Sequence, residues 1–340
     1  MTKQAEAPIA HGGALSEAVA RYGGTPSEWL DLSTGVSPFS LPLPELSADV
    51  WRRLPEQSEV QRVCELAKRH YGGSVVPIAV PGTQSVIQLL PFLTPNASEV
   101  AIVSPTYGEY QQAYQRMDMA IDPIDTLDAA TETRASVAVL ANPNNPDGRE
   151  TPRDDIFGFA RAQRHRLVIV DEAFADMRQD LSMVGAAGME PNLVVMRSFG
   201  KFFGLAGLRL GFVFAEAGLA RLLSDRLGPW AVSGPALAIA AHAFSRIDLV
   251  NELRKKIEKA HATTRSALNM ARVSVVGETA LFFCCEVGDG AAVRDLLASH
   301  KVLVRAFDHS PSLIRIGLAP DDLSAVRLRE TLRLAGQRTS

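Results

Sequence analysis

One lysine of this chain stands out for its setting. It lies in Ser198-Phe199-Gly200-Lys201-Phe202-Phe203-Gly204-Leu205-Ala206-Gly207-Leu208-Arg209-Leu210-Gly211. Most lysines are solvated, but one held between an apolar run and a glycine-rich stretch makes a poor surface residue and a good amine nucleophile, suited to forming an imine with a carbonyl. Asp171 closes the run Leu167-Val168-Ile169-Val170 and supplies a carboxylate; read alone it serves equally as the N-cap of a helix at Glu172-Ala173-Phe174. Gly82-Thr83-Gln84 open a predicted helix over 85–92. Their backbone amides, with Ser198 and Arg209, suit a dianionic phosphate at a helix N-terminus, although a bare Gly-Thr-Gln is usually a turn. Tyr107, in Ser104-Pro105-Thr106-Tyr107, offers a flat face for stacking or a core aromatic with its hydroxyl at the rim. Asn142-Pro143-Asn144-Asn145-Pro146-Asp147-Gly148 is by itself a rigid turn.

An amine for an imine, an anion opposite a ring nitrogen, a stacking face and phosphate donors are what a phosphorylated pyridine aldehyde requires of a protein. In this order and spacing the set is more specific than any member. It points to pyridoxal 5'-phosphate as cofactor, attached at Lys201.

The elements that must position these residues are short apolar strands alternating with polar loops and helices, which is the sequence form of a parallel sheet covered on both faces. Strands are predicted at 75–80, 99–103, 136–141, 167–170, 192–196 and 210–214. The candidate residues follow their carboxyl ends, the edge at which open α/β sheets bind ligands. Runs such as Leu167-Val168-Ile169-Val170 lack alternation, as in strands buried on both faces. A helix is predicted to begin near Ser58, with Gln61 completing a capping-box spacing and Val60, Val63, Cys64 and Ala67 forming the apolar stripe; Gly72-Gly73 ends it. Residues 1–45 are rich in glycine and proline and read as an arm of turns and extended pieces rather than a packed element. After Gly234-Pro235 a long helical pattern, interrupted near Ser245, runs through Leu249, Val250, Leu253, Ile257 and Leu268. Strands near 281–285, 302–305 and 313–316, with helices between and after, complete a smaller α+β domain. The expected division is 1–45 as an N-terminal arm joining the small domain, 46–235 as a large cofactor-binding domain, and 236–340 as linking helix and small domain.

Composition agrees with two lobes. The chain has 340 residues, 46% of them hydrophobic and 21% charged, whereas single cores stop growing at about 250–300 residues. The 35 basic and 38 acidic residues are interspersed, giving a net charge of -3; nothing suggests nucleic acid, and a small-molecule partner is expected. Cys64, Cys284 and Cys285 have neither zinc-ligand nor disulfide spacing, so no metal is expected and a reducing cytoplasm fits. No stretch reaches the roughly 18 apolar residues of a membrane span and the first residues show no apolar h-region, so neither secretion nor membrane insertion is expected.

These residues resemble the class I and II aminotransferase superfamily over essentially the whole chain. The resemblance implies an α/β, type I pyridoxal-phosphate transferase fold: a large domain with a mostly parallel seven-stranded sheet plus a smaller α+β domain. Carried across, it makes Lys201 the cofactor-bearing lysine and Asp171 the partner of the ring nitrogen. Asn145 becomes the donor to the ring's phenolic oxygen, and Tyr107 the stacking aromatic. Gly82, Thr83, Gln84, Ser198 and Arg209 become the phosphate cup, and Arg315, in Leu313-Ile314-Arg315-Ile316-Gly317, grips the substrate α-carboxylate. Within the superfamily the sequence is similar to histidinol-phosphate aminotransferases and, more so, to threonine-phosphate decarboxylases. The latter likeness lies in His11-Gly12-Gly13, in Trp29 to Pro38, in Trp51-Arg52-Arg53-Leu54-Pro55 and in Gly228 to Pro235. Two positions depart from the aminotransferase pattern: Phe174 and Leu54 stand where tyrosines are usual. The branch implies decarboxylation of O-phospho-L-threonine in cobalamin biosynthesis, with Arg305 on the substrate phosphate and His11, Gly12 and Gly13 closing over it. It also implies a homodimer. Read from residues alone, His11 has the alternative of a frayed terminal residue, and Arg305 that of a solvated strand cation. A histidinol-phosphate-type aminotransferase and a non-catalytic binding module with this fold are the other readings.

Overall fold

The computed structural model describes residues 12–94 and 96–338. They form two compact units, one of residues 36–262 and 277–281, the other of residues up to 35, 263–276 and 282 onward. Along the chain, strand β1 (Leu30–Asp31) comes first. β2 (Ile78–Val80), β3 (Glu99–Val103), β4 (Ala120–Ile124), β5 (Val137–Ala141), β6 (Leu167–Asp171), β7 (Leu193–Ser198) and β8 (Gly211–Phe214) follow, and then β9 (Ser274–Thr279), β10 (Phe282–Glu286), β11 (Val302–Leu303), β12 (Arg305–Phe307) and β13 (Ser310–Gly317).

The larger unit is built on a seven-stranded sheet of order β2-β8-β7-β6-β5-β3-β4. β7, β6, β5, β3 and β4 pair in parallel, and β8 runs antiparallel to both of its neighbours. Every residue of β6 and β7 is buried, which explains their unbroken apolar character. The strand over 120–124 was not expected. Its sequence Ala-Ile-Asp-Pro-Ile reads as loop, but β4 pairs only with β3 at the sheet edge, where a proline and polar residues are tolerated. The helix expected near Ser58 is Gln57–Tyr71, and its capping box is formed by Glu56 and Glu59 instead of Ser58 and Gln61. It ends at Gly72 in the left-handed conformation, φ 74°, which glycine adopts without a Cβ clash. The interruption foreseen near Ser245 is real: one helix spans Gly234–Ser245 and the next Ile247–Met270.

The smaller unit holds a four-stranded sheet of order β12-β13-β10-β9 and a parallel pair, β1 with β11. Here the reading of the N-terminal segment as unpacked is corrected. Leu15–Tyr22 is a helix whose Ala18 is buried with Trp29 and Ala298, with Leu15, Val19 and Tyr22 packed around them. The many glycines mask that i, i+3, i+4 stripe. The strand expected at 302–305 is two strands: Val302 and Leu303 face β1, whereas Arg305 and Ala306 face β13. Helices Gly290–Ser299 and Asp322–Arg338 belong to this unit. Among the described residues no helix is long and apolar enough to cross a membrane.

Candidate active site

In the larger unit, the sheet delivers the candidate residues to one edge. Lys201 sits in the short helix Phe199–Phe202 that follows β7 directly. Phe199, Phe202 and Phe203 around it are buried completely or nearly so, and at about 1.5–3 kcal/mol for each buried phenylalanine they anchor the backbone that carries the lysine. The amide of Ser37 donates to the Lys201 carbonyl at 2.9 Å. Gly204 has φ 64°, and a Cβ there would meet the Phe39 carbonyl oxygen at 2.0 Å, so residues 37–39 lie directly against the lysine loop. The Lys201 ammonium lies 5.7 Å above the centre of the Phe174 ring.

Asp171 ends β6 and is buried. Its Oδ1 accepts from the Ala173 amide at 3.0 Å and its Oδ2 from the Tyr110 hydroxyl at 2.7 Å. Burial pushes the carboxyl up, while those two donors and the charges of Lys201 and Arg197 pull it down; burial prevails. The N-cap alternative for Asp171 has a local counterpart in the Ala173 bond, but the residues beyond form only the 3₁₀ turn Ala175–Met177. Sequence reasoning missed Tyr110. It lies three residues after Tyr107, a spacing that places both on one face of a helical turn, and their rings meet edge-on at 6.4 Å.

Gly82 precedes the helix Thr83–Leu89, which continues as a 3₁₀ turn over Leu90–Leu93. At φ 79°, a Cβ on Gly82 would meet Arg209 Nη2 at 2.9 Å. Gly211 lies against the Thr83 backbone and pairs with Ser198 across β7 and β8. Gly82, Thr83, Ser198 and Arg209 are thus brought together, with the first helical amides, which have no intrahelical acceptor, beside a guanidinium. Arg209 itself is exposed, in the left-handed conformation, and donates from Nη1 to the Ala206 carbonyl. Gln84 takes a different part: its Oε1 accepts from the Tyr107 hydroxyl at 3.0 Å and its Nε2 donates to Glu109 at 2.7 Å. It therefore sets the tilt of the tyrosine ring.

The three asparagines after β5 separate by role. Asn142 exchanges two hydrogen bonds with Thr151. Asn144 joins Thr106, Pro105 and Asp147. Both are buried and both shape the loop, which leaves Asn145, partly exposed, as the one presented at the sheet edge. Behind the site lies a second feature that sequence reasoning missed. Arg197, 2% exposed, pairs with Glu172 at 2.9 Å and Asp176 at 3.4 Å and stacks over Tyr71 at 4.5 Å. Its signal was a basic residue inside an apolar strand.

In the smaller unit Arg305 and Arg315 are direct partners across β12 and β13. Arg315 is buried, and its Nη2 donates to the Ser33 carbonyl at 2.9 Å. The Gly13 amide donates to the hydroxyl of the same Ser33 at 2.8 Å, and a Cβ on Gly12 would meet the Ser33 carbonyl at 2.3 Å. Two residues of the Gly-Gly motif and Arg315 are therefore gathered around one serine; His11 lies outside the described residues. Burial, with the charge of Arg294, presses Arg305 below the usual arginine range against the opposing pull of Asp308.

The larger unit provides an anchored amine, a buried carboxylate and an anion cradle, and the smaller unit, taken by itself, a pair of arginines. The donor set fits pyridoxal 5'-phosphate: the cradle is closed to any side chain at Gly82, and Asp171 holds donors on both oxygens, which favours the anion.

Comparison with known proteins gives the chain's relations. The family model described as aminotransferase class I and II matches residues 58–329. A threonine-phosphate decarboxylase from Sinorhizobium sp is 44% identical, over 96% of this chain and 98% of that protein. A second, from Pseudomonas aeruginosa, is 35% identical over 95% and 97%. Histidinol-phosphate aminotransferase from Shewanella oneidensis is 28% identical over 84% and 77%. Among solved structures, histidinol-phosphate aminotransferase from Sinorhizobium meliloti in complex with pyridoxal-5'-phosphate superposes with a TM-score of 0.83, at 20% identity, covering 100% of this chain and 99% of that one. Likewise, L-threonine-O-3-phosphate decarboxylase from Porphyromonas gingivalis superposes with a TM-score of 0.73 at 18% identity, over 90% and 99%; at these identities the likeness is one of fold.

Proposed function

Since the chain belongs to the class I and II aminotransferase family, we propose that it is a pyridoxal 5'-phosphate enzyme that decarboxylates O-phospho-L-threonine to (R)-1-aminopropan-2-yl phosphate and carbon dioxide in cobalamin biosynthesis. One observation carries the choice of reaction: the near-full-length likeness to threonine-phosphate decarboxylases exceeds that to the aminotransferases in both identity and coverage.

When bound, the cofactor supplies a conjugated, protonated ring that accepts the electron pair left on the substrate's α-carbon. Lys201 would hold the cofactor through its Nζ, and the same amine would supply the proton that takes the place of the substrate's carboxylate. Asp171 keeps the ring nitrogen protonated, Asn145 bonds the phenolic oxygen, and Tyr107 stacks on the ring. Gly82, Thr83, Gln84, Ser198 and Arg209 receive the cofactor phosphate, Gln84 also through its hold on Tyr107. Arg315 fixes the substrate carboxylate and Arg305 its phosphate, with His11, Gly12 and Gly13 closing over them. The bond that breaks is the one held perpendicular to the ring, so the arginines select the reaction by fixing the substrate's orientation. Phe174 leaves the phenolic oxygen to the Asn145 amide, without the tyrosine hydroxyl of the aminotransferase pattern.

We further propose a homodimer, supported by exposed Trp51 (67%) and Leu54 (63%), and a cytoplasmic location, which suits three buried cysteines that form no disulfide. Incubation of the holoenzyme with O-phospho-L-threonine should release carbon dioxide without an acceptor. Release of oxidised product from histidinol phosphate only when 2-oxoglutarate is added would replace this reading with the aminotransferase. A colourless protein that takes up no cofactor would replace it with a binding module. Light scattering tests the dimer.

A further inference from the structure

We infer that Tyr110 is a positioning residue for the reaction, acting through Asp171: its hydroxyl fixes the rotation of that carboxylate and keeps it an anion opposite the cofactor's ring nitrogen. The inference rests on the proposed cofactor site and adds to it a residue that does not touch cofactor or substrate.

Tyr110 is fully buried, and its hydroxyl donates to Asp171 Oδ2 at 2.7 Å. Burial, and then the charge of Asp171, push the phenol far above its ordinary range, so it stays a donor at every working pH. With the Tyr110 hydroxyl on Oδ2 and the Ala173 amide on Oδ1, each oxygen accepts a hydrogen bond, the pattern that suits a carboxylate. Both bonds therefore favour the ionised form against the burial that opposes it. The charged groups that bear on Asp171 are Lys201 and Arg197. Those that bear on Tyr110, besides Asp171, are the phenols of Tyr107 and Tyr114. Of the two favourable donors only Tyr110 is a side chain, so it alone is removable by substitution. Its placement also couples two parts of the site. The Tyr110 ring meets Tyr107 edge-on, and Tyr107 is tethered to Gln84.

The same helix supplies a control. Tyr114 is one turn further on, equally buried, and its hydroxyl has no hydrogen-bond partner among the described residues. Tyr114→Phe removes a hydroxyl from the same core without touching Asp171.

The test compares Tyr110→Phe, Tyr114→Phe and the unaltered holoenzyme in steady-state kinetics and in the pH titration of cofactor absorbance. A hydrogen bond to a charged group is worth about 10- to 100-fold, so Tyr110→Phe should lower kcat by about that factor and leave KM within about threefold. Less positive charge on the ring nitrogen raises the proton affinity of the conjugated Lys201 nitrogen. The midpoint of the colour change should therefore move up by about one pH unit. Tyr114→Phe should change neither. Tyr110→His, which restores an N–H donor, should recover part of both and serves if the phenylalanine variant fails to fold. The inference is overturned if Tyr110→Phe keeps kcat within about twofold and its midpoint within about 0.3 units, or if Tyr114→Phe moves them as far. If the unaltered protein shows no cofactor absorbance, or borohydride labels a residue other than Lys201, the failure belongs to the cofactor reading instead.

Discussion

Replacing Arg197 by methionine tests whether the buried ions behind the site hold it together. The guanidinium is bonded to Glu172 at 2.9 Å and lies 3.4 Å from Asp176, and all three side chains are nearly or fully inaccessible. Burial opposes the guanidinium's charge, but Asp176, Glu172 and Tyr71 more than offset it and hold the arginine ionised. Burial also raises both carboxyls, and Arg197 is what chiefly draws them back. Removing one partner of such a pair typically costs about 3–5 kcal/mol, and the stacking on Tyr71 adds up to about 2 kcal/mol, part of which methionine recovers by packing. We expect Arg197→Met to lose about 4 kcal/mol at pH 7.5 by urea unfolding, a large share of the roughly 5–15 kcal/mol of a typical native state. The loss should depend on pH. Without the arginine the folded-state carboxyls climb further above their unfolded values of about 4, so above that pH the native protein binds protons that the unfolded chain has released. Stability of the variant then falls as pH rises, by up to about 1.4 kcal/mol per unit for each carboxyl, and its deficit should be smaller at pH 5 than at pH 7.5. Adding Glu172→Gln and Asp176→Asn should restore most of it. A deficit under about 1 kcal/mol at pH 7.5, or one equal at both pH values, would refute the reasoning.

His70 packs among the rings of Tyr71, Phe203 and Phe244, and burial with the charges of Arg197 and Arg254 lowers its pKa from 6.5 to about 3. The unfolded chain therefore takes up a proton first as pH falls below 6.5. Unaltered protein should lose up to about 2 kcal/mol more than His70→Leu between pH 7 and pH 5, measured by denaturant midpoints; parallel profiles would count against it. Gly204→Ala places a methyl 2.0 Å from the Phe39 carbonyl at a positive φ, so a loss of about 2–3 kcal/mol with weaker cofactor retention is expected in thermal melts and reconstitution. Arg315→Lys keeps the charge but not the planar fork and should reduce kcat/KM for O-phospho-L-threonine by about 10- to 100-fold; an unchanged value would remove Arg315 from the carboxylate.

What the sequence disclosed, and what it hid, follows from how local each determinant is. β6 and β7 announce themselves because strands covered on both faces need unbroken apolar runs, and Lys201 is conspicuous because a charged residue there contradicts its surroundings. β4 was invisible because an edge strand tolerates Asp122 and Pro123, and the helix Leu15–Tyr22 was obscured by the glycines around it. Gly82 and Arg209 are far apart in sequence, and only their strand ends bring them together. Tyr110 drew no notice because what distinguishes it is a single hydroxyl bond to Asp171, 61 residues away, and Arg197 drew none because its acids, Glu172 and Asp176, follow a different strand. Asn145 was singled out by family resemblance, and the physical reason for the choice, that Asn142 and Asn144 are spent on the loop itself, lies in contacts that composition does not encode.

The pairing of β1 with β11, residue 30 against residue 302, bears on how the polypeptide is born. Emerging from the ribosome amino end first, Leu30 and Leu32 find no strand partner until nearly the entire message has been read, whereas residues 36–262 are available to collapse long before then. Nascent chains must therefore carry an unpaired β1 through most of synthesis, and a premature stop between β8 and β11 releases a product with a finished seven-stranded sheet and an unclaimed β1 near its amino end.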